Sequence, residues 1–370
     1  MLKLVLALVP EAASVFWWLH EQETVLMTHG GDKVTCSTGV MQGCPFAAIA
    51  FSLVVKWLVS QLTHCGLEET QFFMDDGLLY GTPLAMKWCL DLIRGLEPVS
   101  GLKMKYVKMD IYAPSSESAK MCRRLFPTQI RIHENEDMNF VYLKTPIGND
   151  EFVEKYLEGK LTRLRKEIKM LSEMKHLHQC FTLLRSCAAA CKVTHLMRTI
   201  PPKQLAKFLN GFDIALKKAM ERILGHDLSG EQWLVCQLPA KYGGLGLRNG
   251  KLVFGAQHVM SLQKCAKEMA NHAQDWKLEE CAKKSSEAWL KDCIGSEFNM
   301  SEYLSEGTCS RSEECLTNSS NYTLSLAQRC EYSCYLSLLK SMSDNDRLRL
   351  ISNSGPTQSW VTALPLGFKN

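Results

Sequence analysis

Long apolar runs are missing from the sequence, since no uninterrupted stretch approaches the roughly 18 residues that a membrane-spanning helix needs. We therefore expect no membrane partner. Net charge is also small, +4 over 370 residues, so only local clusters of Lys and Arg can indicate an anionic partner. No internal repeat of solenoid-like period is found, which excludes the repeat architectures.

The dense cysteine spacing of a small secreted scaffold is absent as well, although the chain has 16 cysteines. Their scatter among helical-looking segments predicts reduced thiols and an intracellular location, nuclear or cytoplasmic. A secretory signal is the alternative, because the N-terminal segment is apolar. Pro10 and Glu11 interrupt that segment, and its Leu and Val spacing favours an amphipathic helix. The sequons at Asn318 and Asn321 are then inert.

The apolar content of 46% is sufficient for a buried core, and the length allows two or three domains. The pattern predicts an α+β fold: residues 1–150 mix strands with helices, and residues 151–225 form long helices. Residues 226–282 read as a helical C-terminal extension that follows a glycine-rich turn, "GGLGLR". The tail, residues 283–370, contains Ser, Glu and Cys, and its composition predicts the least ordered part of the chain.

Individual elements follow from periodicity and from Gly and Pro punctuation. The predicted helices are an opening helix, residues 46–66, 84–98, 151–177, 180–201 and 254–276. Residues 28–40 are expected to form a short hairpin or a loop. The predicted strands are a basic strand over residues 102–114 and a strand over residues 139–148.

Two adjacent aspartates lie between apolar runs in "QFFMDDGLLYGT", residues 71–82. This pattern predicts a β-hairpin with Asp75, Asp76 and Gly77 at its turn. A solvent-facing Asp-Gly turn is the ordinary meaning of such a sequence. The other interpretation is a pair of carboxylates placed to bind a metal ion.

A second motif lies upstream, in "STGVMQGCPFAAIAFSLVV", residues 37–55. Gly39 and Gly43 would let the backbone approach another molecule closely, and Pro45 would fix the start of the next helix. Such a loop can lie against a nucleotide. A plain loop that enters a core helix is the alternative.

In their order and spacing, the two motifs resemble the palm of reverse transcriptases from non-long-terminal-repeat retrotransposons. The resemblance covers roughly residues 1–260. Its loop positions are Ser37, Gly39, Gln42, Gly43 and Pro45; its hairpin positions are Phe73, Met74, Asp75 and Asp76; Lys108 matches a lysine of the next palm strand; and Phe140, Tyr142, Leu143 and Gly148 resemble the primer-gripping hairpin.

The resemblance implies a partial polymerase palm, an antiparallel sheet with helices, followed by an all-helical thumb-like region. The implied activity is RNA-directed DNA polymerisation, a nucleotidyl transfer with an RNA template, a DNA primer and deoxynucleotide triphosphates. Two magnesium ions would assist it, with Asp75 and Asp76 as catalytic metal ligands. Lys108 would be the acid toward pyrophosphate, or else an ordinary solvated lysine. Template and substrate would contact Phe73 and the five loop positions.

A basic stretch between residues 192 and 222 corresponds to the thumb, which holds the template–primer duplex in this family. Its cations outnumber its carboxylates, Asp213 and Glu221, and predict binding to nucleic-acid phosphates. A solvated helix face is the alternative. The cations are Lys192, Arg198, Lys203 and Lys207, with Lys217, Lys218 and Arg222 after them.

The chain departs from the family in ways that predict no activity by this chain alone. The family's first palm aspartate and its fingers are not matched, and Asp32, the aspartate upstream of the hairpin, sits in a Gly-Gly-Asp turn. Met74, Cys44 and Lys105 stand where Ala, Asp and Asn are usual. We therefore expect a reverse-transcriptase fragment, from a degenerate copy or an incomplete reading frame.

Two further hypotheses stay open. The helical remainder could be a non-catalytic module that binds nucleic acid or protein. A metal-binding tail is the other, although no Cys-x-x-Cys pair has a histidine in range. Its cysteines would be Cys281, Cys293, Cys309, Cys315, Cys330 and Cys334.

Two spatial predictions follow from the palm interpretation. The loop over residues 37–45 should lie against the aspartate hairpin. Residues 150–225 should form a separate helical bundle whose basic face points to the cleft.

Overall fold

The computed structural model describes residues 7, 10–20, 23–27, 29–36, 44, 46–248, 250–273, 275–308 and 326–354. They belong to two compact units, Met1–Leu143 and Lys144–Asn370. The fold is mixed α+β and mostly helical, with 67% helix and small two-stranded sheets. The coarse α+β prediction is therefore confirmed.

The first unit alternates helices with short strands. Its elements are α1 (Pro10–His20), β1 (Thr24–Met27), β2 (Lys33–Cys36), α2 (Ala47–Leu62), β3 (Glu69–Phe73), β4 (Asp76–Tyr80), α3 (Pro83–Ser100), β5 (Asp110–Ala113), α4 (Ser116–Leu125), β6 (Arg131–Glu134) and β7 (Phe140–Tyr142). The β1–β2 and β3–β4 pairs are antiparallel hairpins, whereas β5 pairs with β6 in parallel.

The described strands do not form the single antiparallel sheet expected of a palm. They make separate two-stranded sheets, and one pair is parallel because α4 crosses over between β5 and β6. The polymerase palm thus remains a hypothesis beyond the α+β class.

Local signals set the helix boundaries in this unit. Helix α3 begins where the Thr82 hydroxyl accepts a hydrogen bond from the Ala85 amide, with Pro83 in its first turn. It ends at Gly101, whose φ of 74° is left-handed. The prediction of a helix over residues 84–98 is confirmed within two residues at each end.

A small core joins α2 and α3 to the aspartate hairpin. Leu58 and Leu62 of α2 are buried with Cys89 and Ile93 of α3. The hairpin covers this core with partly buried side chains of both its strands, Phe72 and Leu79. Burial of these apolar groups fixes which face of the hairpin points inward.

Two predicted strands are shorter than their patterns indicated. The basic strand over residues 102–114 is wrong in its first half, because Tyr106–Lys108 forms a 3₁₀ turn and β5 starts only at Asp110. The strand over residues 139–148 is interrupted by Leu143 and Lys144, whose φ values are 47° and 63°. Two consecutive left-handed residues make a tight turn, so β7 ends there.

The second unit is helical apart from its first strand. Its elements are β8 (Thr145–Ile147), α5 (Asp150–Ser172), α6 (Leu177–Leu183), α7 (Thr194–Thr199), α8 (Pro202–Leu224), α9 (Gly230–Gln237), α10 (Gly250–His272), α11 (Leu278–Ala282), α12 (Ala288–Ile294), α13 (Met300–Thr308), α14 (Leu326–Ser341) and α15 (Asp344–Ser352).

A continuous helix was expected over residues 180–201, and this is wrong. The segment runs through α6, a π-helical turn over Leu184–Ala188, a 3₁₀ turn over Ala190–Lys192, and α7. Ala189, with ψ of −132°, breaks the helical path. Ala188, Ala189 and Val193 are buried, so core packing outweighs helix continuity here.

Helices α5 and α8 pack closely in the main core of this unit. A Cβ on Gly211 of α8 would lie 2.5 Å from the Leu161 Cδ2 of α5, so the Leu161 side chain occupies the space next to this glycine. Trp233 of α9 is buried, and its Nε1 donates to the Asp213 carboxylate at 3.1 Å. The Asp213 carboxylate also accepts a hydrogen bond from the Gln237 side-chain amide, so it links α8 to α9.

The described part of the tail is helical, and the prediction of low order stays a prediction for residues 309–325 and 355–370, which lie outside the described residues. The tail's described residues form four helices, α12 to α15, because Leu290, Met300, Leu326 and Cys330 share a buried cluster with α10 residues such as Val259. The burial of these apolar side chains stabilises helices that the polar composition disfavoured.

The tail helices dock on the glycine-rich turn. Gly243, with φ of 79°, lies so close to α15 that a Cβ there would be 2.5 Å from the Leu350 carbonyl oxygen. Arg248 forms an ion pair with the buried Glu331 of α14, with 3.6 Å between Nε and Oε1. Tyr242 stacks on Tyr335 at 5.0 Å between ring centroids.

Across the described part of the chain, no helix is both long and apolar enough to cross a membrane.

Candidate functional site

The aspartate hairpin is confirmed, but its turn is shifted from the prediction. Phe73 pairs with Asp76, and Phe72 pairs with Gly77. The turn therefore consists of Met74 and Asp75, and Asp76 and Gly77 belong to β4. Met74 takes the left-handed conformation, with φ of 54°, where glycine or asparagine is usual.

Both carboxylates at this hairpin are exposed to solvent. Their hard oxygen atoms are the donors that magnesium prefers, so this pair fits part of a magnesium site. Successive strand residues point to opposite faces, but Asp75 lies in the turn and is free of that alternation. Phe73, the predicted substrate contact, is 62% exposed beside them. The tip thus presents two carboxylates and an aromatic ring.

Gly77 holds the hairpin in shape. A Cβ at this position would meet the Phe72 ring at 2.5 Å, because the ring lies across the strand over the glycine. Phe72 in turn packs on the α2–α3 core. The glycine therefore allows the ring to anchor the strand that leads to Asp76.

Tyr142 of β7 lies within electrostatic reach of the hairpin. Burial raises the pKa of its hydroxyl, and the negative charge of Asp76 adds to the rise. The resemblance assigned Tyr142 to the primer-gripping hairpin. Two segments that are 66 positions apart, read from their residue numbers, thus act on each other within the first unit.

The predicted nucleotide loop lies outside the described residues. This applies to all five of its positions, Ser37, Gly39, Gln42, Gly43 and Pro45. Its predicted approach to the hairpin therefore stays a prediction. The helix that follows the loop, α2, packs on the hairpin through Leu58, Leu62 and Phe72.

Lys108 lies in the 3₁₀ turn before β5 and not on a strand, and its side chain is exposed. Next to it, Asp110 accepts a hydrogen bond from Arg131 at 2.9 Å and contacts His133 at 2.8 Å. Sequence reasoning missed this cluster, because a parallel β5–β6 pair brings the residues together and no local motif signals such a pair.

The predicted basic residues belong to the second unit, and all four primary positions are exposed. Lys192 forms an ion pair with Glu167 at 3.0 Å, and Lys207 lies between Glu154 and Glu158 of α5. Arg198 and Lys203 are the other two positions. The described α5 carboxylates therefore offset part of the positive charge that the sequence pattern indicated.

The sequence pattern overestimated the positive charge of this region because the α5 carboxylates were not counted. The sequence argument counted carboxylates only within residues 192–222, namely Asp213 and Glu221. Asp213 points into the core. The carboxylates that pair with Lys192 and Lys207 come from α5, 25 positions before Lys192 and 49 and 53 positions before Lys207. The acidic residues that matter are those of the neighbouring helix.

A metal-binding tail gains no support from the described residues, which contain no group of three or more His, Cys, Asp or Glu side chains placed to hold a metal ion. Cys309 and Cys315 lie outside them. Cys293 and Cys330 form a thiol–thiol hydrogen bond, which lowers the pKa of Cys293 and, together with burial, raises that of Cys330.

Comparison with known proteins leaves the family unassigned. No protein-family model matches the chain, and no curated protein matches it either. The likeness to reverse transcriptases therefore consists of the motifs and their order along the chain.

Proposed function

We propose that the chain is part of an RNA-directed DNA polymerase of the non-long-terminal-repeat retrotransposon class. The observation that carries this proposal is the β3–β4 hairpin, which presents exposed Asp75 and Asp76 at a two-residue turn beside Phe73. These carboxylates would hold magnesium, which supplies activation of the primer hydroxyl and charge neutralisation on pyrophosphate. An RNA template, a DNA primer and deoxynucleotide triphosphates are the proposed partners.

Other residues of the chain have supporting roles in this proposal. Exposed Lys108 is available to donate a proton to the leaving pyrophosphate. Phe73 offers a ring against which a nucleotide can stack. Exposed Arg198 and Lys203 of the second unit neutralise phosphates of the template–primer duplex, whereas Lys207 is already paired with Glu154 and Glu158.

We further propose that this chain does not catalyse extension by itself. A two-metal site needs carboxylates from more than one segment, and its members fail as a unit when one is missing. The sequence before the hairpin contains one aspartate, Asp32, and this residue follows Gly31 in the turn between β1 and β2.

Primer extension tests both parts of the proposal. The chain given template–primer, deoxynucleotides and magnesium should show no extension above background. A fusion that supplies the first palm strand and fingers of a related element should extend the primer, and Asp75→Asn should abolish this, because the amide keeps the shape and loses the charge.

The control for this experiment is Asp32→Asn, the same chemical change in another turn of the first unit, which should leave extension by the fusion intact. Extension by the unmodified chain, sensitive to Asp75→Asn, would overturn the claim of inactivity. A fusion that extends equally well with Asp75→Asn would overturn the assignment of the hairpin.

A non-catalytic module that binds nucleic acid or protein is the second candidate. The observation that favours it is the main core of the second unit, whose buried residues run from Val153 to Phe254 and include none from the hairpin. Binding that weakens steeply with salt, without extension and unaffected by Asp75→Asn, supports this candidate.

A further inference from the structure

One flank of helix α5 gathers positive charge. Tyr156, Lys160, Arg163 and Glu167 follow one another at intervals of three or four positions, so they form a stripe along one side of the helix. Lys160 is half-buried in this stripe, whereas Arg163 and Glu167 are exposed.

Two more lysines join the stripe from other segments. At one end, the Tyr156 hydroxyl donates to the Lys144 backbone carbonyl at 3.0 Å. At the other end, Lys192 pairs with Glu167 at 3.0 Å. The stripe is therefore bounded by Lys144 and Lys192, and Lys160 lies between them.

The charges in this region act on Lys160. Burial lowers its pKa, and the positive charges of Lys144, Lys192 and Arg163 lower it further, with Glu167 opposing them. Among the described groups that act on Lys160, three are cations and one is a carboxylate. Repulsion of this kind is relieved when an anion binds.

The opposite flank of α5 carries carboxylates that pair with a lysine of α8. Glu154 and Glu158 lie there, and both pair with Lys207 of α8. One helix therefore carries a flank with an excess of cations and a flank where carboxylates hold the cation. Lys160 therefore lies among cations, whereas Lys207 lies between two carboxylates.

We infer that Lys144, Lys160, Arg163 and Lys192, named the Lys160 cluster, bind phosphoryl groups. Arg163 supplies a planar fork for phosphate oxygens, and the three lysines supply point charges around it. The phosphoryl groups can come from a nucleic-acid backbone or from a free polyphosphate. The nucleic-acid source rests on the proposed function, whereas the site itself does not depend on it.

The experiment uses the full chain and two probes: inorganic tripolyphosphate, and a fluorescently labelled template–primer duplex. Lys160→Gln and Arg163→Gln each remove one charge from the cluster, and Lys207→Gln removes one charge from the opposite flank. Binding is measured by calorimetry for tripolyphosphate, and by anisotropy over a salt series for the duplex.

We expect each cluster variant to lower the affinity for both probes about five- to tenfold. For the duplex, the slope of log K against log salt should also fall by roughly 1. Lys207→Gln should change either affinity by less than about twofold, because its carboxylate partners already neutralise it. Lys160→Arg should restore binding. Melting temperatures near the wild type would confirm folding, and exposed Arg163 gives a second variant if Lys160→Gln is unstable.

Equal losses for Lys160→Gln, Arg163→Gln and Lys207→Gln would overturn the site, since they would indicate unspecific charge attraction. Loss of tripolyphosphate binding with unchanged duplex binding would support the site and overturn its nucleic-acid source. If the cluster variants lose binding of tripolyphosphate and of the duplex, and no form of the fusion extends a primer, the phosphoryl-binding site is supported. The polymerase proposal would then be overturned.

Discussion

The three residues of the Asp-Asp-Gly motif have different positions in the hairpin. Asp75 lies in the turn, Asp76 pairs with Phe73, and Gly77 lies beneath the Phe72 ring. The glycine is therefore needed for packing, since the turn is already closed before it. This distinction leads to a test of stability that leaves both carboxylates intact.

Gly77→Ala should destabilise the first unit. A Cβ 2.5 Å from the Phe72 ring forces the ring off the α2–α3 core, and overpacking of this kind costs about 1–3 kcal/mol. Cys89 is fully buried in that core, and burial with the neighbouring Cys65 raises its pKa to about 12. Alkylation of Cys89, followed by mass spectrometry, should therefore quicken roughly five- to a hundredfold.

Gly95→Ala is the matched control. Gly95 lies inside α3, where a Cβ meets no side chain or other segment within 4 Å, so alanine should stabilise the helix by about 0.5–1 kcal/mol. Slower alkylation of Cys89 is expected. Equal rates for the two variants would show that the Phe72 ring does not need the glycine.

Glu331 should make stability depend on pH. Burial raises its pKa, although Arg248 and Lys241 oppose the rise. The folded state therefore binds more protons than the unfolded state between the ordinary carboxylate value of about 4.3 and the raised value, and stability falls as pH rises through this window. Glu331→Gln should remove this fall, as measured by urea denaturation at a series of pH values.

Glu302→Gln is the control for this prediction, since Glu302 is an exposed carboxylate on α13. The comparison is between the two variants over the same pH series. A wild-type pH slope that persists in Glu331→Gln would place the titrating group elsewhere.

Helices and turns were predictable where punctuation is strong. Thr82 and Pro83 define the start of α3, and Gly101 defines its end. The break at Ala189 and the turn at Leu143 and Lys144 were not predictable, because neither has glycine or asparagine. At Ala189, burial in the main core determines the backbone, and local sequence does not encode such packing.

The candidate site was predictable to a similar extent. The hairpin came from alternating apolar runs around the aspartates, whereas its turn was misplaced because Asp-Gly is the usual turn pair and Met74 is not a usual left-handed residue. The ion pairs of Lys192 and Lys207 depend on which helix lies beside them. A sequence pattern within one segment contains no such information.

Docking of α15 on the glycine-rich turn should depend on Gly243. Alanine there must adopt a left-handed conformation and also meets the Leu350 carbonyl oxygen at 2.5 Å. We expect Gly243→Ala to release α15, so amides of residues 344–352 should exchange at least tenfold faster by mass spectrometry, about 1.4 kcal/mol.

Gly225→Ala provides the matched control for that exchange measurement. Gly225 has nearly the same φ, 75°, but a Cβ there meets nothing within 4 Å. It should share the backbone strain of about 1–2 kcal/mol without affecting α15. If Gly225→Ala releases α15 equally, strain and not docking is responsible.

At the scale of the whole molecule, the two units differ in the size of their described cores. The main cluster of the second unit contains 28 buried residues, whereas clusters of five and of three buried residues are described in the first. Because buried apolar area is the main stabilising term, the two units should unfold at different denaturant concentrations.

We expect amides of α5 and α8 to be the slowest to exchange in the chain, and amides of β3 and β4 to exchange earlier. Hydrogen exchange at increasing urea concentrations measures this order directly. Gly77→Ala should make only the amides of β3 and β4 exchange at lower urea concentration. Protection of β3 and β4 that outlasts α5 and α8 would contradict the ranking.

The buried indole of Trp233, tied to Asp213, has an optical consequence. Trp17, Trp18 and Trp88 of the first unit are 49%, 76% and 62% exposed, whereas Trp233 is only 6% exposed. Solvated indoles emit at longer wavelengths than indoles in an apolar core, and their emission changes little on unfolding. Of these four indoles, Trp233 therefore emits at the shortest wavelength, and a red shift of its emission during denaturation marks the opening of the second unit's core.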